Sequence, residues 1–96
     1  MTSDEILIFL RDHKAEMAER FGVTRLGVAG SVARGEATQD SDIDIIVDLQ
    51  SRNTFRSFFG LLHYLQAALP QKIDLSTESS LKPLVREQVM KDIRYV

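Results

Sequence analysis

The chain has 96 residues, of which 44% are hydrophobic and 27% are charged, with five glycines and two prolines. This composition indicates one globular domain over residues 1–96 and leaves no room for a second, separate substrate-recognition domain. The net charge of −2 argues against an extended nucleic-acid-binding surface. Cysteine is absent, which excludes disulfides and thiolate zinc sites.

The N-terminal segment does not have the pattern of a secretion signal. Acidic residues precede its short apolar run, whereas a signal peptide would carry basic residues there. No apolar run in the chain approaches the length that a membrane crossing needs. We therefore expect a cytoplasmic protein without a membrane partner.

The first predicted element is a helix that ends at Gly22. Thr2 and Glu5 have the spacing of an N-terminal capping box. Apolar side chains recur at helical spacing from Ile6 to Phe21, and they form a stripe that should pack on a sheet.

Two strands separated by a loop are predicted next. The first covers residues 24–30 and ends at a Gly-Ser step that leads into a turn or the opening of a helix. Residues 35–42 have the composition of a loop. Residues 43–49 form the most apolar run in the chain and predict a central strand.

A second long helix is predicted from a cap at Asn53 or Thr54 to a stop at Pro70. Because one helix face cannot bury every large side chain in this segment, a partner surface is the alternative to a core role for its phenylalanines. The predicted core face consists of Phe55, Phe58, Phe59, Leu62, Leu65 and Leu69.

Residues 72–76 predict a third strand, and a last helix begins at Ser79 or Ser80 with Pro83 in its first turn. Helices and strands thus alternate along the chain, which predicts an α/β (α+β) domain with a small mixed sheet covered by helices. This order of elements also allows further short strands. The apolar face of the last helix is formed by Leu84, Val85, Val89, Met90 and Ile93.

A pair of carboxylates marks the start of the central strand. Asp42 and Asp44 lie two residues apart, so both side chains point to the same face of the sheet and can hold a hard divalent cation, above all Mg²⁺. Asp74 can join them if its strand is the neighbour, and three such carboxylates can hold two cations. Asp48 should lie outside this group because Ile46 intervenes. For an isolated Asp-x-Asp, an exposed acidic strand face without function is the alternative.

Gly30 and Ser31 form the Gly-Ser step at the end of the first predicted strand. A glycine there permits close approach of the backbone to a ligand, and N–H groups at a helix opening suit phosphate oxygens. A lone Gly-Ser step is usually only a turn, so its value lies in its combination with the downstream acids.

Together these motifs resemble the signature of nucleotidyltransferases with a palm of the DNA polymerase beta type. The motifs are Gly30-Ser31, Arg34-Gly35 and Ser41-Asp42-Ile43-Asp44. Residues 30–49, GSVARGEATQDSDIDIIVDL, are more closely similar to the minimal nucleotidyltransferases, which are small and often encoded beside a HEPN-domain partner. Residues 72–96 match that family's closing pattern of an acid-bearing strand and a final helix.

The resemblance implies a palm-like fold and a set of site residues. Asp42, Asp44 and Asp74 would ligate one or two Mg²⁺ ions, and Asp74 would help to activate the incoming hydroxyl. Gly30 and Ser31 would hold the β and γ phosphates of a nucleoside triphosphate, which the resemblance identifies as ATP.

Arg34 is the nearest cation to this turn, and the resemblance implies a phosphate contact. The alternative is a surface salt bridge to Glu36 or Asp40. His13 and His63 have no histidine or cysteine partner at ligand spacing, so they are not expected to bind metal or act as a base.

The activity that the resemblance implies is transfer of AMP to a hydroxyl, with a tyrosine of a HEPN partner as the expected acceptor. The chain would then act as an antitoxin in a hetero-oligomer. The alternative is a non-catalytic module that neutralises the partner by contact. Transfer to a small molecule such as an aminoglycoside lacks a second domain to hold the sugar, and polymerisation on nucleic acid is disfavoured by the acidic balance.

Overall fold

A computed structural model describes all 96 residues, and a four-stranded sheet forms the centre of the fold. In order across the sheet, β3 lies beside β2, β2 beside β1 and β1 beside β4. β2 runs antiparallel to β1 and parallel to β3, and β4 runs antiparallel to β1, so the sheet is mixed, as predicted. The strands are β1 (Val23–Ala29), β2 (Ile43–Leu49), β3 (Ile73–Thr77) and β4 (Arg94–Tyr95).

Five helices accompany the sheet, and a 3-10 turn over Glu78–Ser80 follows β3. None of the helices combines the length and the apolar character that a membrane crossing requires. The helices are α1 (Ser3–Asp12), α2 (Lys14–Phe21), α3 (Gly30–Ala33), α4 (Thr54–Ala68) and α5 (Pro83–Asp92).

The N-terminal helix is divided in two. The capping box of Thr2 and Glu5 is confirmed by both of its hydrogen bonds. The continuous helix that we predicted is interrupted at His13, whose Nδ1–H donates to the carbonyl oxygen of Phe9 at 2.8 Å. The backbone N–H of His13 donates to the same carbonyl oxygen at 3.1 Å, so His13 closes the last turn of α1 with both its backbone and its side chain. Gly22 ends α2 in the left-handed conformation, with φ of 74°.

One face of the sheet carries the core. Alternate residues of β2 point to this face, where they meet side chains of α1, α2 and α4. Each fully buried aliphatic side chain contributes roughly 1.5–3 kcal/mol to folding. The largest of them are Ile6, Leu10, Met17, Leu26, Ile43, Ile45, Leu61 and Leu65. The residues of β2 that alternate with these core residues are Asp44, Ile46 and Asp48. Their side chains therefore point to the opposite face of the sheet.

The core face of α4 differs from our prediction. Leu61 and Leu65 are fully buried, whereas Phe55 is 74% exposed and Phe59 is 43% exposed. Leu61 and Leu65 are one turn apart and face the sheet, while Phe59 lies about 200° around the helix from Leu61. The predicted core role is therefore wrong for Phe55 and Phe59, and only Phe58 of the three aromatics packs against the core.

The predicted start of the last helix is also wrong. Ser79 and Ser80 lie in the 3-10 turn, and α5 begins at Pro83. Lys82 is extended, with ψ of 150°, as expected because the helical region is disfavoured for the residue before a proline. No residue of α5 is buried, and Leu84 is 78% exposed.

Candidate active site

The register of the sheet brings two of the predicted acids together. Asp44 of β2 is the partner of Asp74 on β3 and of Ala29 on β1. Side chains at paired positions of neighbouring strands point to the same face, and the strands are about 4.8 Å apart. The carboxylates of Asp44 and Asp74 therefore share the face of the sheet that the core leaves free.

A cleft of about 330 Å³ opens above these two carboxylates. Gly30 and Arg34 of the segment after β1 line it on one side, and Val85 and Val89 of α5 line it on another. We call it the carboxylate cleft. Four of the predicted site residues line it, namely Gly30, Arg34, Asp44 and Asp74, whereas Asp42 and Ser31 lie outside its lining.

Gly30 occupies a position that no other residue fits without strain. Its φ is +61°, a conformation that residues with a side chain adopt at a cost of about 1–2 kcal/mol. A Cβ atom at this position would lie 2.5 Å from Oδ2 of Asp44. The missing side chain therefore leaves space beside the Asp44 carboxylate, where a ligand can approach the backbone.

Uncompensated negative charge surrounds Asp44. Burial raises the pKa of Asp44, and the neighbouring charges of Asp74 and Asp42 raise it further, while Arg34 opposes them. The carboxylates that line the cleft are those of Asp44, Asp74 and Asp92. The one guanidinium that lines it is that of Arg34, so the net charge of the lining is −2. A site with this balance favours a bound cation.

Arg34 has two acidic partners. Its Nε lies 3.0 Å from Oε1 of Glu36, and its Nη1 lies 3.3 Å from Oδ2 of Asp92. The salt bridge to Glu36 that we considered is present, and Asp40 takes no part in it. Arg34 remains about half exposed and lines the carboxylate cleft while it holds these two partners.

The wall formed by α5 was not predicted as part of the site. Asp92 and the two valines, Val85 and Val89, recur at spacings of four and three residues, which places them on one face of the helix. This periodicity was visible in the sequence, but it indicated a core face. In the structure the same face borders the carboxylate cleft.

The donor set fits a hard divalent cation. Carboxylate oxygens are the ligands that Mg²⁺ prefers, and the cleft has negative charge to be neutralised. As the side chains stand, no three acidic or histidine residues are close enough to enclose a metal ion. Asp42 is exposed and precedes β2, so it stands at the edge of the pair formed by Asp44 and Asp74.

The remaining titratable candidates lie elsewhere. His13 is held by the carbonyl oxygen of Phe9, and His63 is exposed on α4. Asp48 lines a different cleft, at the end of β2 from which the chain enters α4. None of these three residues lines the carboxylate cleft.

Comparison with known sequences is consistent with this geometry. Residues 10–96 match the family described as the nucleotidyltransferase domain. The chain is 44% identical over 96 residues to the protein adenylyltransferase MntA of Thermococcus cleftensis, covering 100% of this chain and 97% of that protein. It is 38% identical to MJ1379 of Methanocaldococcus jannaschii, a candidate protein adenylyltransferase, covering 99% of this chain and 98% of that one.

Solved structures show the same fold. A candidate minimal nucleotidyltransferase superposes with a TM-score of 0.80 at 35% identity, covering 98% of this chain and 95% of that one. A mutant form of the toxin–antitoxin MntA–HepT superposes with a TM-score of 0.64 at 25% identity, covering 100% of this chain and 72% of that one. The chain is thus an enzyme of the nucleotidyltransferase family and belongs to its minimal members.

Proposed function

We propose that this chain transfers AMP from ATP to a tyrosine hydroxyl of a HEPN-domain toxin, and that the modification silences the toxin. The observation that carries the proposal is the pairing of Asp44 with Asp74 on the floor of a cleft that Gly30 and Arg34 also line. Such a cleft offers carboxylates for cations, open backbone for phosphate and one guanidinium. Residues 1–96 act as one domain in this proposal.

The acceptor and the partner are supported by the relatives. The relative from Thermococcus cleftensis, which matches over nearly its whole length, is named a protein adenylyltransferase, which favours AMP as the transferred group and a protein as the acceptor. The similar MntA–HepT structure is described as a toxin–antitoxin, which favours an antitoxin role in a hetero-oligomer.

The proposed reaction makes one bond to phosphorus, breaks one bond to phosphorus and moves one proton. The acceptor oxygen attacks the α phosphorus of ATP, the bond from that phosphorus to the oxygen bridging to the β phosphate breaks, and pyrophosphate leaves. The hydroxyl proton passes to the carboxylate of Asp74, which lies at the exposed end of the pair. Gly30 and Ser31 hold the β and γ phosphates, and Arg34 exchanges a carboxylate partner for a phosphate oxygen.

The proposal also assigns the metal ligands. Asp42, Asp44 and Asp74 would hold one or two Mg²⁺ ions. When bound, Mg²⁺ supplies polarisation of the phosphate oxygens and neutralises the charge of the leaving pyrophosphate. The charge of the cleft supports this assignment, because Asp44 lacks sufficient compensation from the protein alone.

The alternative is a non-catalytic antitoxin that neutralises its partner by contact. The observation that favours it is the exposed aromatic surface of α4, which lies outside the carboxylate cleft and is available to another protein. The two functions differ in what they require of the acids. Only transfer needs the carboxylates of Asp42 and Asp44.

A double substitution separates the two functions. The Asp42→Asn, Asp44→Asn variant is co-expressed with the HEPN partner, and both cell survival and complex formation are measured. Transfer predicts that the complex still forms but that the cells are no longer protected. Full protection by the double variant would establish contact as the mechanism. Asp40→Asn is the matched control, because it removes an exposed carboxylate of the same loop outside the cleft lining.

A further inference from the structure

A second cleft of about 430 Å³ lies further along β2, and none of its lining residues lines the carboxylate cleft. We call it the aromatic cleft. One wall is formed by Phe55, Phe58 and Phe59 of α4, and Asp48 lies on another side. The transfer reaction uses no residue of this cleft, so its role is a separate question.

The three phenylalanines form one connected cluster. The rings of Phe55 and Phe59 are 4.7 Å apart, and those of Phe58 and Phe59 are 5.3 Å apart in an edge-to-face arrangement. Phe58 packs against the core, while Phe55 and Phe59 are 74% and 43% exposed. Phe58 therefore fixes the cluster to the core, while the rings of Phe55 and Phe59 remain accessible to a ligand.

Asp48 forms no salt bridge, although an arginine occupies the paired position on the neighbouring strand. Its cross-strand partner is Arg25, and opposite charges at such positions normally attract each other. Instead, Nη1 of Arg25 lies 3.5 Å from Oε2 of Glu78, and Cζ of Arg25 lies 4.2 Å from the ring centroid of Tyr95. No salt bridge in the chain includes Asp48.

The local charge defines what the aromatic cleft can bind. Asp48 and Glu78 together exceed Arg25 by one negative charge, and the carboxylate of Asp48 is the one without a partner. Open phenylalanine faces beside an unpaired carboxylate suit a guanidinium group, because it stacks on aromatic rings and bonds to carboxylate oxygens. A phosphate or an acidic peptide would be repelled.

We propose that the aromatic cleft docks a protein partner through an arginine flanked by apolar side chains. The arginine pairs with Asp48 and stacks on Phe55 or Phe59, and the flanking apolar side chains cover the remaining ring surface. The inference goes beyond the proposed transfer, and it stands whether or not the carboxylate cleft is active.

The test uses two blocked tripeptides and the full chain. One peptide is acetyl-Leu-Arg-Leu-amide, and the other carries citrulline, an uncharged arginine analogue, in the central position. Each is titrated into the isotope-labelled chain, and amide chemical shifts are followed by NMR. We expect the arginine peptide to shift the signals of Asp48, Phe55 and Phe59, and to bind about three- to fivefold more tightly than the citrulline peptide.

Two variants and two controls complete the test. Asp48→Asn should remove the preference for arginine, and Phe55→Ser with Phe59→Ser should weaken both peptides. Asp40→Asn and Leu84→Ser, which change an exposed carboxylate and a 78% exposed apolar side chain outside both clefts, should leave binding unchanged. Equal binding of the two peptides, or shifts confined to other residues, would overturn the proposal. Self-association through α4 that excludes the arginine peptide would overturn it in favour of a second copy of this chain.

Discussion

Replacing Gly30 by alanine tests whether this residue holds open the space beside Asp44. The variant places a Cβ at φ of +61°, which costs about 1–2 kcal/mol of unfolding free energy. In a domain of this size, that loss lowers the melting temperature by roughly 4–16 °C. Gly35 has nearly the same conformation, with φ of +72°, but a Cβ there would meet no atom within 4 Å. Gly35→Ala is therefore a matched control for the backbone strain.

The two alanine variants should differ in activity rather than in stability. At residue 30 the new Cβ would lie 2.5 Å from Oδ2 of Asp44, so the flexible carboxylate must rotate away at little cost in folding. Misplacing a proposed metal ligand should remove about 3 kcal/mol of transition-state stabilisation, which is roughly a hundredfold in rate. Gly35→Ala leaves the Asp44 carboxylate in place.

Thermal unfolding and steady-state transfer of AMP to the proposed HEPN partner measure the two effects. We expect both variants to melt at similarly reduced temperatures, and only Gly30→Ala to lose transfer activity, with assays run well below both melting points. Equal activity of the two variants would refute the role of Gly30, and so would a Gly30→Ala protein as active as the parent.

Three further predictions concern charge and packing. Burial and neighbouring carboxylates raise the pKa of Asp44 above its ordinary value of 3.8. The protonated carboxyl therefore favours the folded state below pH 3.8, and this stabilisation is lost as the pH rises through the raised pKa. Asp44→Asn should therefore melt higher than the parent at neutral pH without Mg²⁺; an equal or lower melting temperature would contradict this. Leu61→Ala should cost about 2–5 kcal/mol in denaturant unfolding and Phe55→Ala less than about 0.5 kcal/mol, and similar costs would restore the predicted core face. Burial and a hydrogen bond to Glu16 raise the pKa of Tyr64 to about 12, so its tyrosinate absorbance should appear only near that pH and return towards the ordinary value of 10 in Glu16→Gln.

The sequence predicted those parts of the fold that local signals determine. The capping box at Thr2, the apolar run of β2 and the asparagine cap of α4 each depend on residues within a few positions of one another, and the structure contains all three. The mixed sheet followed from the order of these elements. Short-range patterns specify helix ends and buried strands because their interactions close within one or two turns.

What the sequence did not predict depends on contacts between distant elements. The face that α4 turns to the core is set by its packing against distant elements, and the periodicity of the helix did not decide that Phe55 would be exposed. The salt bridge from Arg34 to Asp92 joins residues 58 positions apart, and no local sequence pattern predicts it. The neighbouring positions of Asp44 and Asp74 were expected only if the strands paired, and the register of β2 and β3 supplies that pairing.

The central claim is that the carboxylate cleft transfers a nucleotide to a protein. The most direct measurement is incubation of the purified chain with each α-³²P-labelled nucleoside triphosphate and Mg²⁺, with and without the HEPN partner, followed by a denaturing gel. The account predicts label on the partner from ATP, and none when the parent chain is replaced by Asp44→Asn. Label that persists with Asp44→Asn, or a stable complex with the parent chain that never becomes labelled, would contradict it.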